Sequence, residues 1–146
     1  MSDIDVFSGL PVTRDKVFTL QAELSKLPQY QPETKHYFHG GMYCREVYRE
    51  AGVIIVGRIH KKEHFYVVAQ GTVLVTTEEG VQRLSAPAVV ESKPGTKRAV
   101  YSETPAVCMT FHRTDATTPE EAEIELMEEE QIMFDVNNNI KLEVLQ

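Results

Sequence analysis

The stretch GRIHKKEHFYVVAQGTVLV, residues 57–75, sets two histidines and a glutamate directly ahead of a β-rich run that ends at a glycine. Runs rich in β-branched and aromatic residues, bounded by turn residues, read as strands. The same texture extends from Lys35 to His112, through HYFHGGMYCREVYREAGVIIVGRIH on one side and APAVVESKPGTKRAVYSETPAVCMTFH on the other. This gives roughly eight strands in about 80 residues, with no helical pattern between them. TVLVTTEEGVQRLSA reads as a hairpin turning at Glu79 and Gly80. Even spacing without intervening helices favours an antiparallel sandwich or a closed barrel.

Helical patterns flank the strands. In TRDKVFTLQAELSKLP, Val17, Leu20, Leu24 and Leu27 recur at helical spacing after a capping Thr13, and Pro28 stops the run. In TTPEEAEIELMEEEQIM, Thr118 suits the N-cap, Pro119 the first helical position and Glu121 a capping box. The acidic residues sit at the positive end of that helix's dipole. Its apolar positions Ile124, Met127, Ile132 and Met133 make a thin stripe, so the glutamates read as a solvated face. The last run, MFDVNNNIKLEVLQ, alternates on both sides of three asparagines and suggests a terminal hairpin. The expected layout is an N-terminal helical arm over 1–34, a β domain over 35–113, and an acidic helix with hairpin over 114–146, all in one domain.

Composition narrows the function classes. At 146 residues, with 42% apolar and 25% charged content, the chain can bury a core without a metal or a disulfide to hold it. No stretch approaches the roughly 18 apolar residues of a membrane span. MSDIDVFSGL is acidic where a secretory leader is basic, so a cytoplasmic location is expected. The net charge of −7 is local: PEEAEIELMEEE holds seven glutamates, and the remaining acidic and basic residues balance. No basic, aromatic-rich face argues for nucleic acid. Cys44 and Cys108 lie in apolar runs and read as small buried hydrophobes.

A strand, a turn bearing histidines, a strand ending in Gly71 and a later Pro94–Gly95 turn resemble the cupin superfamily over about residues 36–112. The resemblance implies a mainly β fold: a single antiparallel β-barrel, or jelly roll, with helices at both ends. It also implies a homodimer, as does a strand-like tail that would gain by pairing with a second copy. In the family two motifs supply His, His, Glu and a final His as ligands to a divalent metal. Anchored on Gly71, those positions fall here on Arg58, His60 and His64, and the second motif's histidine falls on Arg98. The wording of VGRIHKKEHF, APAVVESKPGTKRAVY and MTFHRT is similar to small stand-alone cupin proteins of bacteriophages, which implies a host cytoplasm and sequestration of a small molecule.

Two arginines at ligand positions change the chemistry. A guanidinium cannot release its proton and repels a divalent cation, while it holds a carboxylate or phosphate through paired hydrogen bonds. The expected ligand is therefore a small anion, bound by Arg58, His60, His64 and Arg98, with Tyr66 and Tyr101 lining the wall and Tyr43 a further candidate. The Pro94–Gly95 turn should place Lys97 and Arg98 at the rim. A second reading keeps a metal: His60, His64 and His112 could converge on zinc, nickel or iron, with Glu63 as a fourth ligand or as the acid or base of an oxygenase or isomerase. A third reading is an interaction protein with a vestigial pocket. His36 and His39 point to opposite faces of a strand and read as structural.

Overall fold

Alternation along MYCREVYR shows how the sheet faces are chosen: Tyr43, Val47 and Arg49 are buried while Met42 is exposed. The structure, a computed structural model, describes residues 14–77 and 79–128. One sheet has five antiparallel strands in the order β1 (Glu33–His39), β2 (Met42–Arg49), β9 (Ala106–Arg113), β4 (His64–Gln70) and β7 (Ala88–Ser92). The other runs β3 (Ile54–Val56), β8 (Ala99–Ser102), β5 (Thr72–Thr77) and β6 (Gly80–Ser85). The described residues thus hold nine strands rather than eight. Among the described residues their ladders draw two sheets.

Side chains join the two sheets. Tyr66, Val68 and Cys108 from the first meet Val73, Val75 and Val100 from the second. Each fully buried valine contributes about 1.5–3 kcal/mol of hydrophobic transfer. Opposite parity on β8 sends Ala99 and Tyr101 to the outer face, where Val56, Leu74 and Val17 of helix α1 (Arg14–Leu24) cover them. The β4–β5 connection needs Gly71, whose φ is +84° and whose missing side chain leaves room for the Pro105 carbonyl. Thr77 pairs with Gly80 across the β5–β6 hairpin, so the turn lies one residue earlier than expected.

Helix α2 spans Pro119–Leu126, with the Thr118 side chain accepting a hydrogen bond from the Glu121 N–H. It stops earlier than its apolar stripe suggested. Met127 is extended and bridges to His60, the Lys61 N–H donates to the Leu126 carbonyl (2.7 Å), and the Glu128 N–H donates to Ile59 (2.9 Å). Pairing with residues 59–61 thus replaces the next helical turn. Ala122 and Leu126 are buried against Tyr43, while Ile124 is 76% exposed. Leu27 is likewise exposed, because α1 ends at Leu24. Thr13, Ile132, Met133 and the tail hairpin lie outside the described residues. No helix among the described residues is long and apolar enough to cross a membrane.

Candidate metal and ligand site

Three elements bring His60, His64 and His112 together. His64 opens β4, and β4 pairs with β9 so that Phe65 faces Phe111, which leaves His64 and His112 on the inward side. His60 lies in the β3–β4 connection, fixed by its bridge to Met127 and by its carbonyl accepting the Gly95 N–H (2.9 Å). The imidazole centroids are 4.2 Å (His60–His64), 4.4 Å (His64–His112) and 4.9 Å (His60–His112) apart. One ring nitrogen from each lies within 4.8 Å of the others, and His60 Nδ1 is 2.8 Å from His112 Nε2.

Burial keeps these rings neutral. It pulls all three below the ordinary histidine range, His60 far below, and His112 down to about 4. The other imidazoles and Arg98 add to the effect. Neutral imidazole is the form that binds a metal. His64 Nδ1 is 3.1 Å from the Lys62 carbonyl, which only accepts, so Nδ1 carries the proton and Nε2 carries the free lone pair. Nitrogens tetrahedrally coordinated at about 2.1 Å stand about 3.4 Å apart, near the 2.8 Å of the His60–His112 pair and inside the 4.8 Å that spans all three. His112 Nδ1 is buried without a partner, as one nitrogen of an incompletely satisfied ring. The donor set therefore fits one divalent transition metal.

The histidines stand between two spaces. On one side is an open groove of about 1070 Å³, lined by Glu63, His64, Glu91, His112, Asp115 and Glu125 among others. On the other is an interior cavity of about 60 Å³ between the sheets, lined by Arg45, Arg49, Arg58, Arg98, Tyr66 and the rings of His60 and His64, with apolar walls from Val47, Ile55 and Val100.

Of the residues singled out in the sequence, Arg58, His60, His64, Tyr66 and Arg98 line the interior cavity. Arg58 is half committed elsewhere: it donates to the Glu123 carboxylate (3.0 Å) and the Glu128 carbonyl (3.0 Å). Arg98 donates to Ser92 Oγ (2.9 Å) and lies 5.1 Å above the Tyr66 ring. Tyr101 is not at the cavity; its strand parity places it under α1. Tyr43 stacks on Phe38 and accepts or donates a hydrogen bond at His36 Nδ1 (2.6 Å). Lys97 is buried with its ammonium over Phe18, on the helix side rather than at the rim, because it alternates with Arg98. Glu63 lines the outer groove.

Arg45 and Arg49 were not anticipated. The signal was present in MYCREVYR, where Tyr43, Arg45, Val47 and Arg49 share one strand face, an unusual place for two arginines.

No family model matches the sequence, and no curated protein matches it. Solved structures do share the fold. A cupin superfamily protein from Desulfitobacterium hafniense is 12% identical with a TM-score of 0.51, over 64% of this chain and 87% of that one. The Cupin_2 domain of an XRE family transcriptional regulator from Enterobacter cloacae is 13% identical with a TM-score of 0.50, over 58% of this chain and 98% of that one. A salicylate 1,2-dioxygenase from Pseudaminobacter salicylatoxidans is 16% identical with a TM-score of 0.51, over 71% of this chain but 37% of that one. At such identity the likeness concerns the fold alone.

Proposed function

We propose that this cupin-fold protein holds one divalent transition metal on His60, His64 and His112 and binds a small anionic molecule in its interior. The observation that carries the reading is the convergence of three neutral imidazoles within 4.8 Å, drawn from a loop and two strands. A bound metal would supply Lewis acidity to a ligand arriving beside the histidines. The protein's own contributions are separate: the Lys62 carbonyl fixes the His64 tautomer, and the buried guanidiniums orient negative charge.

Glu63 lines the outer groove, across the histidines from the interior cavity, so the ligand's place supports binding rather than acid–base turnover by Glu63. Elemental analysis of freshly purified protein tests the metal. One equivalent of zinc, nickel or iron is expected, falling to background in His64→Ala and His112→Ala. A metal-free wild type that also takes up none of these ions on titration would overturn the reading.

A further inference from the structure

The arginines of the interior cavity are chemically incomplete. Arg49 is 7% exposed, yet its Nε and Nη1 atoms are buried without a hydrogen-bond partner. Arg98 Nε and Arg58 Nε are in the same condition, although Arg58 donates elsewhere through its other nitrogens. The Tyr66 hydroxyl, buried beside the Cys108 thiol, has no oxygen or nitrogen partner. No carboxylate is among the described residues lining this cavity, and the Glu123 that neutralises Arg58 lies on α2. The charge of Arg45 is opposed by the nearby Arg49 guanidinium.

Buried charges without counter-ions are expensive, and natural proteins pair them or use them. Several guanidiniums around a space of about 60 Å³, with a hydroxyl donor, match what an oxyanion requires. That space exceeds a single water-sized site, so a planar or tetrahedral anionic group fits it.

We propose that Arg45, Arg49 and Arg98, with the Tyr66 hydroxyl, form an oxyanion subsite that takes the carboxylate or phosphate group of a small ligand on the inner side of His60 and His64. This rests on the reading above that the ligand is anionic, and it assigns the recognition to Arg49 and Arg45 in place of Arg58. Arg98 is steadied from below by the Tyr66 ring and from the side by Ser92, so its fork is oriented before an anion arrives.

Calorimetric titration of the full chain with inorganic phosphate and with acetate, at constant ionic strength with chloride as control, tests the subsite. It is run on protein loaded with zinc and on chelator-treated protein. Saturable one-to-one binding of at least one probe is expected in both states, weakened at least tenfold in Arg49→Gln and Arg98→Gln. The probe that binds names the class, carboxylate or phosphate. Arg98→Gln keeps the test valid if Arg49→Gln does not fold. Binding that disappears with the chelator, or that Arg49→Gln and Arg98→Gln leave intact, would place the anion elsewhere and overturn the subsite, as would no binding of either probe. Failure of zinc to load, with anion binding preserved, would overturn the metal reading alone.

Discussion

His60 Nδ1 and His112 Nε2 lie 2.8 Å apart although 52 residues separate them in the chain. Both rings are held neutral by burial, so at that distance either the N–H of one ring donates to the lone pair of the other or a common cation takes both lone pairs. The stability of the β3–β4 connection should therefore respond to metal.

Zinc at a hundredfold excess over its dissociation constant should stabilise the fold by about 2.7 kcal/mol, and a chelator should reverse the gain. Scanning calorimetry with and without chelator measures it. His112→Ala should show no zinc-dependent shift, and a shift equal to that of the wild type would mean that the metal binds elsewhere.

Arg49→Met removes a buried guanidinium that has two unpartnered nitrogens. In anion-free buffer the variant should be more stable than the wild type by about 1 kcal/mol or more, since an uncompensated buried charge costs more than a packed apolar chain. The urea midpoint reads this directly. A loss of stability instead would show that Arg49 has partners within the fold.

Leu126→Ala and Ile124→Ala should behave oppositely. Leu126 is fully buried and its carbonyl accepts from Lys61, next to His60, so truncation should cost about 2–5 kcal/mol and loosen metal binding. Ile124, at 76% exposed, should tolerate alanine within about 0.5 kcal/mol. Chemical denaturation together with zinc titration separates the two effects.

Gly71→Ala would place a Cβ 2.2 Å from the Pro105 carbonyl at a φ of +84°. The backbone must shift, at a cost of about 2 kcal/mol or more. A denaturation midpoint equal to that of the wild type would show that the β4–β5 connection relaxes freely.

The sequence by itself determined the strand-rich domain between two helices, the capping of the acidic helix at Thr118, and the turn at Gly71, because each depends on local periodicity or on a backbone angle that one residue type adopts. The resemblance to the cupin motifs marked His60, His64 and Arg98, and His112 entered as a candidate third imidazole. What tertiary structure decided was which of these meet. Strand parity turned Tyr101 under α1 and Arg45 and Arg49 inward, and the pairing of residues 126–128 with 59–61 ended α2 early. Those outcomes depend on which strand lies beside which. No local pattern encodes that adjacency; it follows from burying one apolar layer between two sheets, which also encloses the arginines.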